Sequence, residues 1–341
     1  MKEIYLLVDY KGMFGLKHFS KPYRSGMERG LLTDYFAIHG YKINYLDLNQ
    51  VNNNLSDFKS KNVIYNSSED IGYFYKSYIE DVVYGLELSN VNVIPSYKFL
   101  KAHNNKVFME LLAQSLHCET NVKSIVLGSL EDYLKIANQI SFPCVYKSSG
   151  GASGVGVFLA KSHEDLVTII KRKGFVSRLK EIVKDKLRPF KHKGYHTEDI
   201  YRKKFVIQEF IPDLKNDWKV YVFGDKIYIF NRPIQKGRGI KASGGGYDNY
   251  FYGREANAPE GIYDFVYSFF LKLNIPHLSI DIAFNGNKFF VIEYQAIHFG
   301  TAGIPYSDGY YKQDEHKWKF VEKKLDIEQV YAESIVWYLE K

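Results

Sequence analysis

Lys147 closes an apolar run, FPCVYK, and is followed at once by SSGGASGVGVF, a stretch of little side-chain bulk whose backbone N–H groups can approach a phosphate chain closely. A second apolar strand follows the loop directly, whereas a dinucleotide fold or a Walker loop would open a helix here, and the Walker Lys-Ser/Thr ending is missing. Alone, a Gly/Ser hairpin turn is only a turn; the lysine in front of it favours a phosphate. A second constellation is DWKVYVFGDKIYIFNRP, which reads as a hairpin with a two-residue Gly224-Asp225 connection, Gly first as a type II′ turn requires. In that register Asp217 pairs with Arg232 and Lys219 with Phe230, so Asp217, Lys219 and Arg232 share one face. Trp218, Val220, Val222, Ile227 and Ile229 then take the other face, and the charged trio is either a working surface or a solvated sheet face with cross-strand ion pairs.

The third constellation, SIDIAFNGNKFFVIEYQ, inserts Asp281 and Glu293 into strands that are otherwise apolar, and buried acids need partners. Glu293 and Gln295 share a face. A two-residue Asn285-Gly286 turn would send Asp281 to the opposite face, whereas a three-residue or bulged connection over 285–287 brings Asp281 beside them. The second register is the expectation, because two carboxylates and an amide oxygen suit Mg²⁺, which commonly takes one or two carboxylates together with substrate phosphates. The competing arrangement pairs these acids with Lys or Arg from a neighbouring strand.

The elements that must position these groups follow from periodicity. Strand-like and helical runs alternate over the first ninety or so residues, as in a small open α/β domain. A short strand at 92–95 and a helical stretch over 96–116, with Ser96 or Asn104 as caps, lead into a region of antiparallel hairpins from Pro143 onward. The expected division is 1–95, then 96–204 with the phosphate loop and a basic segment, then 205–341. At 341 residues the chain exceeds what one core usually supports, so several subdomains are expected.

These pieces, together with Lys106 in HNNKVFMELL and the strand VIQEFIP, stand in an order that resembles the ATP-grasp family over residues 101–303. The resemblance implies an α/β protein of α+β subdomains, an ATP-grasp fold behind an N-terminal open α/β domain, with ATP and Mg²⁺ as cofactors. It implies ATP between two α+β units, with Lys106 and Lys147 at the phosphates and the loop containing Gly150, Gly151, Ser153 and Gly154 folding over them. Gln208, Glu209, Phe210 and Ile211 would form the adenine hinge, Asp217 would sit near the ribose, and Asp281, Glu293 and Gln295 would hold Mg²⁺. Two residues depart from the family pattern: Gln295 stands where Asn is usual, and Lys219 where many members have Arg, giving a point charge in place of a fork.

Most members of that family phosphorylate a carboxylate and let an amine attack the acyl phosphate. The resemblance therefore implies a carboxylate–amine ligase forming a C–N bond, with Arg232 and Lys219 as the catalytic cations. Asp9, Lys11, Gly12 and Arg24 would serve the acceptor side, and His298, Gly300 and Thr301 would line its pocket. The glycine-rich stretch 235–249, with Gly237, Gly239 and Gly244 to Gly246, could close over the second substrate or be a surface loop. Two rivals stand beside the ligase: a kinase of the same fold acting on a small molecule, and a non-catalytic nucleotide-binding module.

Composition narrows the class. The 45% apolar content is that of a globular protein, and Cys118 and Cys144 lie in no metal or disulfide spacing. Neither a signal peptide nor a membrane span is read, so a cytoplasmic location is expected. The net charge of +7 has one source: residues 171–204 hold thirteen Lys/Arg against four Asp/Glu, +9, which leaves the remainder at −2. A solvated helix and loop is the favoured reading of that segment and an anionic substrate the second. Small-molecule carboxylate and amine partners are expected, and nucleic acid is not.

Overall fold

The computed structural model describes residues 1–51, 54–151, 154–176, 178–234 and 246–341. They form two compact units: Met1–His103 with Leu112–Thr120 and Leu214–Lys341, and Asn104–Leu111 with Asn121–Asp213.

In the first unit, β1 (Lys2–Val8), β2 (Tyr41–Asp47), β3 (Asn62–Ile64) and β4 (Asn92–Ile94) make a parallel sheet in the order β2-β1-β3-β4. This is the open α/β arrangement expected for the N-terminal region. Ile4, Leu6 and Val8 of β1 are buried, and helix Arg29–Ile38 covers the sheet with Leu32 and Phe36. The order reverses between β1 and β3, so the loops after these strands flank the crevice where open α/β sheets take ligands.

The second unit contains β5 (Ser124–Leu127), β6 (Cys144–Ser148), β7 (Val157–Ala160) and β8 (Phe205–Glu209), an antiparallel sheet in the order β5-β8-β6-β7. Tyr146, Phe205 and Ile207 on one face pack against Leu130 and Tyr133 of helix Leu130–Ile136 and Leu166 and Ile170 of helix His163–Gly174. Ser162 caps the latter by accepting from the Asp165 N–H at 3.3 Å, with acids in its first turn and Lys171, Arg172 and Lys173 in its last, as the helix dipole favours.

The remaining strands return to the first unit: β9 (Asn216–Phe223), β10 (Lys226–Pro233), β11 (Phe251–Tyr252), β12 (His277–Phe284), β13 (Phe289–Gln295), β14 (Tyr310–Asp314) and β15 (Lys317–Val321). Their order is β13-β12-β9-β10-β14-β15, with β11 on β10. Tyr221, Phe223, Tyr228 and Phe230 share one core with Tyr331 and Ile335 of helix Ile327–Leu339 and with Ile4, Leu6 and Phe36. That common core is why the first and last segments fold as one unit, in place of three consecutive domains along the chain. The expected helical stretch over 96–116 is two helices, Tyr97–Ala102 and Lys106–Ser115, separated where Asn104 takes a left-handed φ of 53°.

Candidate functional site

The two sets of residues singled out by sequence fall in different units, and each has its own geometry. In the second unit β6 alternates: Tyr146 enters the helical core, so Lys147 projects from the opposite face, where it stands across from Val206 of β8. Gln208, two residues along β8, shares that face. Both are almost entirely buried despite their polarity, at 4% exposure for Lys147 and 5% for Gln208. The Gln208 amide donates to Ser124 Oγ at 3.1 Å and to Glu110 Oε1 at 3.5 Å. Glu110 belongs to helix Lys106–Ser115, one turn after Lys106, so this helix and this sheet face bring Lys106, Glu110, Lys147 and Gln208 into one polar layer.

The phosphate-loop candidate is tied to the same layer. The Lys106 N–H donates to the Ser149 carbonyl at 2.8 Å and its ammonium donates to the Gly151 carbonyl at 2.9 Å. Ser149 Oγ donates to Asn105 Oδ1 at 3.0 Å. Gly151 takes a φ of 108°, which an L side chain rarely adopts, and a Cβ on Gly156 would come within 2.8 Å of the Ser148 Cβ. Gly150 and Gly154 belong to this turn, whereas Ser153 lies outside the described residues. Glu209 ends β8 exposed, with its N–H donated to the Lys123 carbonyl at 2.9 Å, and half-buried Phe210 and Ile211 follow it. Asn105 and Glu110 were not among the sequence candidates. Their signal was positional: Asn105 stands at the cap of the Lys106 helix, and Glu110 four residues beyond the lysine.

In the first unit the β9–β10 register is the expected one, with Asp217 opposite Arg232, Lys219 opposite Phe230, and Gly224 at a φ of 58° in the turn. The Arg232 guanidinium grips Asp217 with two prongs, Nε to Oδ1 at 2.6 Å and Nη2 to Oδ2 at 2.7 Å. Its Nη2 also lies 2.8 Å from Asp281 Oδ2, and the Lys219 ammonium donates to Asp281 Oδ1 at 2.8 Å. Asp281 therefore does what the competing arrangement required: it pairs with cations of neighbouring strands, because β12 lies beside β9 and Asp281 stands directly opposite Lys219. Burial opposes its charge, yet Arg232 and Lys219 outweigh burial and hold the Asp281 carboxyl below the ordinary carboxylate range. At Asp217 burial pushes the carboxyl up, against the pull of Arg232. The guanidinium stays charged, its own pKa raised because Asp217 and Asp281 outweigh its burial.

The β12–β13 connection corrects one expectation and keeps its consequence. The tip is tight: Phe284 pairs with Phe289, the Asn285 N–H donates to the Lys288 carbonyl at 3.3 Å, and Asn285 Oδ1 accepts from the Asn287 and Lys288 N–H groups. No three-residue or bulged turn is present there. The irregularity lies inside the strands instead, where the register shifts between Asp281 and Ile282 so that Ile292 is the extra residue on β13. That bulge sets Asp281 directly opposite Glu293, with Gln295 opposite Ser279 one step along the same face. As donors these are two hard carboxylates and an amide oxygen, a set that suits Mg²⁺ completed by phosphate oxygens. Among the described residues no group of three or more His, Cys, Asp or Glu is placed to hold a metal ion.

The other candidates of this unit have structural partners. Asp9 Oδ1 accepts from the Lys11 and Met13 N–H groups, and Arg29 donates to the Gly12 carbonyl, which shapes the loop after β1. Arg24, at a left-handed φ of 63°, lies over the Tyr23 ring. Thr301 Oγ1 accepts from the His18 N–H at 3.0 Å, and His298 Nδ1 lies 3.3 Å from Asn66 Oδ1. Burial lowers the His298 pKa to about 4, so its ring is neutral at pH 7. The stretch 235–245, with Gly237, Gly239 and Gly244, lies outside the described residues, and Gly300 is exposed.

Residues 105–184, which include Lys106, Lys147 and the glycine loop, match the family model of the carbamoyl-phosphate synthase L chain, ATP binding domain. Among solved structures, a RimK-domain ATP-grasp protein from Sphaerobacter thermophilus DSM 20745 is similar over 98% of this chain and 99% of its own, at 12% identity and a TM-score of 0.53. D-cycloserine synthetase DcsG is similar over 98% of both chains, at 10% identity and a TM-score of 0.57. The ATP-grasp ligase PsnB, complexed with precursor peptide PsnA2 and AMPPNP, is similar over 99% of this chain and 98% of its own, at 10% identity and a TM-score of 0.53. Polar layer, glycine turn and acid-bearing hairpin thus stand on a scaffold shared end to end with such proteins, and this chain has the fold of the ATP-grasp superfamily.

Proposed function

We propose that this protein is an ATP- and Mg²⁺-dependent ligase that activates a carboxylate as its acyl phosphate and joins it to an amine. The observation that carries the reading is the Ile292 bulge, since it turns two acids of apolar strands into a facing pair, Asp281 and Glu293, beside a cationic pair, Arg232 and Lys219. Asp281, Glu293 and Gln295 are the residues that would hold Mg²⁺, which when bound supplies charge neutralisation at the phosphates.

The chain's own groups do the rest. Lys106 and Lys147 counter the negative charge of the phosphates from the polar layer, and the glycine turn lets backbone N–H groups approach them. Gln208 to Ile211 offer the strand end for the adenine, and Asp217 orients Arg232 by its two-pronged grip. A guanidinium held in this way cannot swing with its substrate, so the positive charge is in place before charge develops on the transferring phosphoryl group or the tetrahedral carbon. Lys219, fixed on the other oxygen of Asp281, adds a second cation at the same edge.

The test is a screen of carboxylates against amines, peptides among them because the PsnB structure holds a precursor peptide, with ADP release as readout. A ligase releases ADP and phosphate only when carboxylate and amine are both present, or forms a hydroxamate when hydroxylamine replaces the amine. ADP accompanied by a stable phosphorylated alcohol would make the protein a kinase. Tight ATP binding with no turnover on any pair would make it a binding module.

A further inference from the structure

The basic segment is not absorbed by the ligase reading, and its structure is unusual. Helix Leu179–Lys191 has no buried residue along its length. Leu179, Val183, Leu187 and Phe190 fall at i, i+4, i+8 and i+11, which a helix places in one stripe. An amphipathic helix ordinarily turns such a stripe into the core. Here it faces solvent, at 77%, 51%, 58% and 88% exposure, while half-buried Ile182 and Asp185 lie toward the rest of the unit. Asp185 fastens that inner side: it accepts from the Tyr195 hydroxyl, from Arg188 at 3.2 Å and from the Glu198 N–H at 2.9 Å.

The charges are arranged about the stripe. At 3.6 residues per turn the four apolar side chains span an arc of about 80°. Lys186 borders one edge, and Lys180, Lys184 and Lys191 the other; the two acids, Glu181 and Asp185, lie on the far side. Lys184 is 3.6 Å from Glu181, and no ion pair among the described residues engages Lys180, Lys186 or Lys191. Phe175 and Val176, just before the helix, are exposed as well.

An apolar stripe of this kind needs a cover. A second copy of the chain is a poor one, since stripe against stripe would bring two lysine borders together. An anionic bilayer meets both features at once: the stripe enters the boundary between headgroups and acyl chains, and lysines on either edge reach up to the lipid phosphates. We propose that helix Leu179–Lys191 is an interfacial anchor that docks this protein on a membrane surface rich in anionic lipid. A single amphipathic helix of thirteen residues lies in the interface plane, so the attachment proposed is peripheral and reversible. The proposal is independent of the ligase reading.

Co-sedimentation of the full chain with phosphatidylserine–phosphatidylcholine vesicles, against pure phosphatidylcholine, tests it. The chain should partition into the anionic vesicles and hardly into the neutral ones. The double variant Leu187→Glu/Phe190→Glu, at two exposed positions, should lose at least about tenfold of that affinity, as should Lys180→Glu/Lys186→Glu/Lys191→Glu. Circular dichroism checks that the variants keep the fold. Failure of the wild type to bind anionic vesicles at low salt overturns the proposal, and so does binding that the lysine reversals abolish but the apolar double variant leaves intact. Capture by an acidic peptide column without vesicle binding would assign the stripe to an acidic protein partner and likewise overturn it.

Discussion

Removing the Glu293 carboxylate takes one oxygen donor from the Asp281–Glu293 pair and leaves the contacts of Arg232 to Asp217 and Asp281 in place. Glu293→Ala should therefore lower ATP turnover by about a hundredfold or more, the effect of several kcal/mol of lost charge stabilisation, while the protein stays folded. Asp281→Ala should behave differently. It strips Lys219 and Arg232 of a shared partner, and breaking a buried pair costs about 3 kcal/mol, so stability should fall along with activity. Wild-type turnover in Glu293→Ala would remove the metal assignment. The two lysines form a second contrast. Lys147 leads from the sheet directly into the glycine turn, so Lys147→Ala should weaken ATP binding by about tenfold or more, and more than Lys106→Ala does. Calorimetric titration giving Lys147→Ala the wild-type affinity would contradict this.

At the scale of elements the glycine turn offers a steric test. Gly156 has no positive φ, so alanine is conformationally allowed, but its Cβ would meet the Ser148 Cβ at 2.8 Å and force β6 and β7 apart at the turn. Gly156→Ala should cost about 1–3 kcal/mol of stability and also weaken ATP binding. A loss of stability with unchanged ATP affinity would detach this turn from the phosphates. What sequence could read here depended on where the information lay. The β9–β10 register was legible because it is fixed by a two-residue Gly-Asp turn, which local sequence specifies. The β12–β13 register was not, because the residue that sets it, Ile292, sits mid-strand among apolar neighbours and carries no turn signal. The hold of Arg232 on Asp281 was equally invisible: it depends on β12 lying next to β9, an order created when the chain leaves β10 at Pro233 and returns to the far side of β9 as β12 from His277. Periodicity could show that the 179–191 helix is amphipathic, but not that its apolar stripe faces outward.

For the whole molecule, buried histidines set a dependence on acid. Burial lowers the His277 pKa to about 3 and the His298 pKa to about 4, whereas an unfolded histidine titrates near 6.5. Both are depressed in the folded state, so between these limits the unfolded chain binds protons that the native one does not. Their contribution is complete above about pH 6.5 and is lost as pH falls toward about 4 and then 3, at roughly 1.4 kcal/mol per pH unit for each ring. Urea unfolding at pH 7, 6 and 5 should show that decline, and His277→Phe should make it shallower. Flat stability over the range would mean that these rings are not buried neutral. The ligase reading itself is tested most directly by labelling the oxygens of the substrate carboxylate with a heavy isotope and following them through turnover. If the carboxylate is activated as an acyl phosphate and then captured by an amine, one labelled oxygen must appear in the inorganic phosphate for each C–N bond formed. Phosphate that carries no label, or ADP formed while both labelled oxygens stay on the carboxylate, would contradict the account.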